Sequence, residues 1–129
     1  MDVCDRLLGN QGLGHNKFAV VADAAGESAS KAWTGSTNWA ATGLCTQANN
    51  GILFEDAEVA QIYLEQWHRL ADAERGFPAG LVEANAGSPR AAGAAEVWFT
   101  RVRNPSKKKD IPLGKDIQAL IDLANGARG

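Results

Sequence analysis

The chain has 129 residues, of which 45% are hydrophobic and 22% charged, and its formal net charge is -2. This length suits about one small domain, and the composition is that of a globular chain, which excludes disorder along the whole length. No apolar run reaches the roughly 18 residues that a membrane span needs, and the N-terminus shows no export signal. The sequence leaves the localisation open.

Three strands are predicted in the first half of the chain. Phe18 to Ala22 is a continuous run of small and β-branched apolar residues, which is typical of a strand buried on both faces of a sheet. Lys31 to Thr34 forms a short second strand. Ala40 to Asn50 is polar and irregular, and Gly51 to Phe54 again has the pattern of a buried strand.

An amphipathic helix is predicted from Ala57 to Leu70, after Asp56 as its N-cap. His68 lies on this helix, where a lone histidine is more often a surface or core residue than a ligand. The apolar positions with helical spacing are Val59, Ile62, Tyr63, Trp67 and Leu70.

The second half of the chain is predicted to have less regular structure. Gly, Ala, Pro, Ser and Asn dominate from Gly76 to Gly93, which indicates a connector. Glu96 to Thr100 is a predicted strand, and Asp116 to Ala124 is a predicted helix with Asp116 as its N-cap. We interpret the basic residues that follow the strand at Glu96 to Thr100 as a solvated loop. They are Arg101, Arg103, Lys107, Lys108, Lys109 and Lys115. Cys4 and Cys45 fit no metal-binding spacing, and we expect both to be reduced.

We therefore predict a mixed α/β fold with a mostly buried sheet and flanking helices. Residues 1–75 form the first half, 76–94 the connector, and 95–129 the opening strand and helix of a second unit. Parallel strands buried on both faces need sheet partners and covering helices, and this chain offers few of either. We therefore expect the sequence to be an internal fragment of a larger polypeptide.

The residues that indicate chemistry flank the first two strands. His15 and Lys17 project from one face of an extended chain, because side chains alternate along a strand. Ser36 and Asn38 follow Gly35 after the second strand and offer a hydroxyl and an amide. A histidine nucleophile beside an ammonium and an amide donor suits phosphodiester cleavage, in which the nonbridging oxygens gain negative charge.

The spacing of these residues resembles the motif of the phospholipase D superfamily. That motif runs His-x-Lys, four residues, Asp, and then Gly-Ser-x-Asn. The resemblance extends from Gly14 to about Leu70. The matching residues are His15, Lys17, Asp23, Gly35, Ser36 and Asn38.

This resemblance implies a phospholipase D-like fold and a phosphodiesterase or phosphatidyl transferase that acts through a phosphohistidine. In that family two motifs, from two repeats or two subunits, build one active site. One histidine attacks phosphorus and the other protonates the leaving oxygen. For this chain the resemblance implies His15, Lys17 and Asp23 as catalytic residues and Ser36, Asn38 and Asn49 as ligands of the phosphate, with no metal or cofactor. The expected partner is a second half, in cis or in a homodimer.

Two positions depart from the family pattern. Asp23 lies one residue later than usual, behind Ala22, so regular pleating would turn its side chain to the opposite face. We therefore predict a local irregularity at the strand end that directs Asp23 toward His15. Some nuclease-like members have an acidic residue where Asn49 stands, and an amide can hydrogen-bond there without supplying charge.

Several alternatives remain open from the sequence. The substrate is a phospholipid, a cardiolipin-type lipid or a nucleic acid, because all three present the same phosphodiester. A noncatalytic phosphate-binding module and an inactive α/β fragment are the rival functions, since only one motif is present. Trp33 and Trp39, on either side of the glycine-serine loop, are packing residues or the wall of a pocket.

Overall fold

The computed structural model describes residues 15–72, 80–100, 102 and 112–127. The chain is mixed α/β and divides into two compact units, Met1–Pro78 and Ala79–Gly129. The elements, in chain order, are β1 (Phe18–Ala22), β2 (Ala29–Gly35), α1 (Ala41–Cys45), β3 (Gly51–Phe54), α2 (Ala57–Asp72), α3 (Leu81–Ala86), β4 (Arg90–Ala92), β5 (Ala95–Val97) and α4 (Lys115–Gly126).

The sheet of the first unit is antiparallel, and not parallel as expected, with β2 between β1 and β3. Phe18 pairs with Thr34 across the first two strands. The prediction of strands buried on both faces is wrong for these residues, because one face of the sheet, here called the open face, lies in contact with solvent. Val21 and Leu53 on this face are each 57% exposed. A short apolar run has the same sequence pattern whether one or both faces are covered.

Helix α2 covers the other face of the sheet and provides most of the core of this unit. The ring of Tyr63 lies 5.4 Å from that of Phe18 and 6.5 Å from that of Phe54, measured between centroids. Burial raises the pKa of Tyr63, against a hydrogen bond with Thr34 that lowers it. The buried residues of α2 are Val59, Ala60, Ile62, Tyr63, Leu64 and Gln66.

The predicted amphipathic helix is confirmed, with its C-terminal end at Asp72. Its predicted cap is present as well, because Asp56 Oδ1 accepts hydrogen bonds from the N–H groups of Glu58 at 2.8 Å and Val59 at 3.1 Å. The long apolar period and the cap gave two independent signals for the same element. This agreement explains why the sequence placed α2 well.

Helix α1 lies within the segment that we predicted to be irregular. The N–H of Leu44 donates a hydrogen bond of 2.9 Å to the carbonyl of Ala40. The Thr46 hydroxyl donates to the Thr42 carbonyl, also at 2.9 Å. A helix of five residues is too short to display a hydrophobic period, so the pattern could not reveal it.

The second unit also has more regular structure than we predicted. Part of the expected connector forms helix α3 and strand β4, which pairs with β5 in an antiparallel hairpin. The predicted strand over Glu96–Thr100 is shorter than expected and ends at Val97. The missed elements have three to six residues each, below the length at which a period is visible.

Helix α4 begins at Lys115, with Gly114 and not Asp116 as its N-cap. Asp116 is buried inside the first turn, where its Oδ1 accepts a hydrogen bond of 3.0 Å from the Ile117 N–H. Cys45 is exposed and has a free thiol. Outside the described residues lie Cys4 and most of the predicted basic loop, namely Arg101, Arg103, Lys107, Lys108 and Lys109.

Candidate functional site

One edge of the three-stranded sheet collects the segments that the sequence singled out. Strand β1 starts there at Phe18, paired with Thr34, and β2 ends there at Gly35, paired with Gly51 of β3. Antiparallel pairing places the beginning of one strand beside the end of the next. The segments 15–17, 36–38 and 49–50 therefore meet at this edge, which we call the site edge.

Lys17 is tied to the sheet through its backbone, because the Thr34 hydroxyl donates to its carbonyl at 3.1 Å. Its ammonium donates to the backbone carbonyl of His15 at 3.2 Å. An ammonium has three donors, so this bond leaves capacity for an anion. His15 is exposed, and its ring makes no hydrogen bond to any other residue within the described ranges. Both side chains are accessible to a ligand.

A second group of hydrogen bonds joins the segment that follows β2 to the segment that precedes β3. The Ser36 hydroxyl donates to Asn49 Oδ1 and accepts from the N–H of Asn50, each at 3.0 Å. The Asn49 amide donates to the Gly43 carbonyl at 2.9 Å. Ser36 and Asn49, which we predicted as phosphate ligands, are thus bonded to each other and hold the ends of β2 and β3 together.

Asn38 leads from this network into α1. Its carbonyl accepts the N–H of Ala40 at 2.8 Å, while its exposed side-chain amide makes no hydrogen bond within the described part of the chain. A Cβ at Gly43 would lie only 2.2 Å from the Asn38 carbonyl oxygen. Gly43 therefore permits the close approach that positions Asn38. Its signal in the sequence is weak, a glycine inside a polar segment.

Asp23 lies at the opposite end of β1 from His15. The predicted irregularity is present, as a shift of register between Val21 and Ala22. The carboxylate nevertheless accepts the N–H of Glu27 at 2.9 Å, and this bond, first among several, lowers the pKa of Asp23. The five residues of β1 at about 3.3 Å each put roughly 15 Å between the two ends. The structure does not bring Asp23 to the site edge.

The loop at residues 23–28, here called the hairpin loop, is attached to α2 instead. Gln61 accepts from the Ala29 N–H at 3.0 Å and donates to the Glu27 carbonyl at 3.2 Å. His68 Nε2 lies 3.0 Å from the Gly26 carbonyl oxygen, so it donates to that acceptor. These two side chains have a structural role that the helical period alone could not predict.

Two tryptophans adjoin the site edge. Trp33 pairs with Ala19 and Leu53 and so lies on the open face of the sheet. Its ring centroid is 5.6 Å from that of Trp39, with the planes at 88°. A Cβ at Gly51 would lie 2.7 Å from Trp33 Nε1, so the indole extends over that glycine at the site edge.

No group of three or more His, Cys, Asp or Glu that could hold a metal ion occurs in the described ranges. No helix there is long and apolar enough to cross a membrane. No protein-family model matches the chain, and no curated protein and no solved structure is significantly similar to it.

Proposed function

We propose that this chain contributes half of a phospholipase D-type phosphodiesterase site, in which a histidine forms a covalent bond to phosphorus. The main support is that the segments carrying His15, Lys17 and Asn38 extend from the same end of the sheet, where the Ser36 hydroxyl donates a hydrogen bond to Asn49. A nucleophile, a cation and an amide donor are the groups that this chemistry requires.

In the proposed reaction a nitrogen of His15 attacks phosphorus, and the bond from phosphorus to the leaving oxygen breaks. The ammonium of Lys17 and the amide of Asn38 donate hydrogen bonds to the nonbridging oxygens, where negative charge increases in the transition state. The leaving oxygen takes a proton from an acid. Water or an acceptor alcohol then attacks the phosphohistidine, which releases the product and restores the imidazole.

The proposed acid is a second histidine from another copy of the motif. One imidazole cannot serve in both roles in the same step, because attack needs an unprotonated nitrogen and donation needs a protonated one. The chain has two histidines, and His68 is bonded to the Gly26 carbonyl at the hairpin loop. A second half, from another part of the polypeptide or from a second subunit, completes this proposal.

The observation of a single histidine at the site edge also favours a second candidate, a module that binds phosphodiesters without cleaving them. The same Lys17 and Asn38 would hold the phosphate. The two candidates differ in whether a covalent intermediate forms, because only the enzyme transfers phosphorus to nitrogen.

The test is a phosphohistidine trap. The full chain is incubated with ³²P-labelled phosphodiester, alone and mixed with a chain carrying a second His-x-Lys motif, quenched in alkali, and analysed for acid-labile, alkali-stable label. We expect labelling of the wild type and of His68→Gln, and none of His15→Ala. Turnover of bis(p-nitrophenyl) phosphate should rise at least about 10² to 10⁴-fold in the mixture, since that is the usual contribution of a general acid. Label that persists in His15→Ala contradicts the proposal.

A further inference from the structure

Trp33 and Trp39 form an aromatic pair, here called the aromatic corner, beside the site edge. Packing within the chain explains the position of Trp33 but leaves most of the Trp39 side chain exposed. Trp33 is partly covered, and its indole extends over Gly51. Trp39 is 66% exposed even though the edge-to-face contact with Trp33 fixes its position. An edge-to-face pair is a favoured geometry that holds both rings in place. Trp39 therefore presents a large apolar side chain to solvent in a preorganised position.

The charges of the open face limit what this corner can bind. Alternation back from Ala19 places Lys17 on the same face as Trp33. Lys31 shares this face, but its ammonium is paired with the carboxylate of Glu55, and the hydrogen bond from Lys31 lowers the pKa of Glu55. In the described residues no carboxylate is paired with Lys17. The ammonium of Lys17 would attract the anionic part of a ligand, and the exposed ring of Trp39 would pack on a planar group joined to that anion.

We propose that Trp39, supported by Trp33, stacks on a nucleobase whose phosphodiester is held at the site edge by Lys17 and Asn38. This inference rests on the proposed function and specifies its substrate class as nucleotidyl phosphodiesters, not phospholipids. Aromatic residues beside a backbone-binding cation are the usual arrangement for unstacked bases, because every base has a π-face. The formal net charge of -2 provides no general attraction to nucleic acid, so stacking has to supply much of the affinity.

The test compares two ligands that differ only in their bases. Fluorescein-labelled oligothymidylate of eight nucleotides and an abasic strand of the same length are titrated with the full chain, and binding is followed by fluorescence anisotropy at fixed salt. We expect the thymidine strand to bind about 5 to 150-fold more tightly, which corresponds to the usual stacking contribution of one base. Trp39→Leu should reduce this ratio to near one and leave abasic binding unchanged. Trp39→Phe should preserve most of the ratio.

The matched control is Trp98→Leu, the same replacement at a partly exposed tryptophan in the second unit, which should leave the ratio unchanged. Lys17→Ala should weaken both ligands by the same factor, because it removes a phosphate contact. If Lys17→Ala changes neither affinity, the proposed phosphate site is wrong, whatever the tryptophan does. If the ratio survives Trp39→Leu, or phosphatidylcholine vesicles displace the strand better than free oligothymidylate does, the stacking proposal is wrong.

The dinucleotide thymidylyl-thymidine, added as a competitor, distinguishes two sources of the same chemistry. Competition by the dinucleotide at a concentration close to that of the octamer supports a site for one base and one phosphate, as in small nucleotide esters. Competition by the octamer alone supports a longer single strand. Each result is consistent with stacking on Trp39, and loss of the competitor's effect in Trp39→Leu confirms that the base occupies this site.

Discussion

The two ends of the β1–β2 hairpin use polar residues in opposite ways. At the hairpin loop, Asp23, Gln61 and His68 each bond to backbone groups of the chain itself. At the site edge, the ring of His15 and the amide of Asn38 make no hydrogen bond within the described residues. Polar side chains satisfied by the chain stabilise a fold, and those that face solvent from a fixed backbone are available for a ligand.

This contrast shows why a histidine and an acid in one sequence motif need not act together. His15 precedes β1 and Asp23 follows it, so the five residues of the strand separate them. The backbone amide of Glu27 satisfies the carboxylate locally, as Asp does in many turns. The imidazole would have to be oriented by a group from the site edge or from the second half.

The largest expected difference between the two ends is the loss of stability when a glycine is replaced by alanine, because the added Cβ has space at one end only. In Gly35→Ala the new Cβ would lie 2.2 Å from the Asn50 carbonyl oxygen, a backbone atom that cannot move without separating β2 from β3. We expect a loss of about 3 kcal/mol in the free energy of unfolding, at the upper end of the usual cost of overpacking. Phosphodiester binding should fall as well, because Ser36 and Asn49 would move apart.

The matched variant is Gly26→Ala in the hairpin loop. Gly26 has φ of 72°, and nothing lies within 4 Å of the added Cβ, so only the left-handed backbone is penalised, by about 1 to 2 kcal/mol. Urea denaturation and anisotropy titration measure both quantities. Equal stability losses, or normal ligand binding in Gly35→Ala, would show that the close approach of the strands does not organise the site.

A smaller loss in the free energy of unfolding is expected when the hydrogen bonds between α2 and the hairpin loop are removed. Gln61→Ala removes both hydrogen bonds to the loop and leaves the N–H of Ala29, a buried residue, without its acceptor. We expect a loss of about 1 to 3 kcal/mol, the usual cost of an unsatisfied buried donor. Faster hydrogen exchange at Ala29 should accompany it, with unchanged ligand binding at the other end of the sheet.

Gln118→Ala is the control for that replacement, since Gln118 is an exposed residue of α4 whose amide donates to Asp122 at 2.9 Å. It should change the free energy of unfolding by less than about 0.5 kcal/mol. Reduced phosphodiester affinity in Gln61→Ala would contradict the separation of the two ends into a structural and a ligand-binding one.

The sequence predicted the elements of this fold that have a long hydrophobic period together with a capping residue. Helix α2 has both, while α1 and α3, of five and six residues, have neither. The open face of the sheet could not be predicted, because β1 has the same apolar run that a strand covered on both sides would have.

The contacts among the candidate site residues could not be predicted from the sequence. The resemblance implied Ser36 and Asn49 as phosphate ligands, but only the loop geometry shows that they hydrogen-bond to each other. The role of Gly43 depends on a backbone approach between residues five positions apart, for which a single glycine gives no specific signal. Local hydrogen bonding of this kind is decided by turn conformation, which hydrophobic patterns do not encode.

The smallest predicted effect is the pH dependence that Asp23 gives to the hairpin loop. Its pKa in the folded chain is lower than its ordinary value of 3.8, chiefly because the Glu27 N–H donates to the carboxylate. A carboxyl group with a depressed pKa stabilises the fold fully above its unfolded pKa, and this contribution is lost as the pH falls through the folded value. The thermal midpoint of the wild type should therefore decrease between pH 6 and pH 3 by more than that of Asp23→Asn. If Asp23→Asn retains the full decrease, the carboxylate of Asp23 does not stabilise the loop in the way that its hydrogen bond to Glu27 implies.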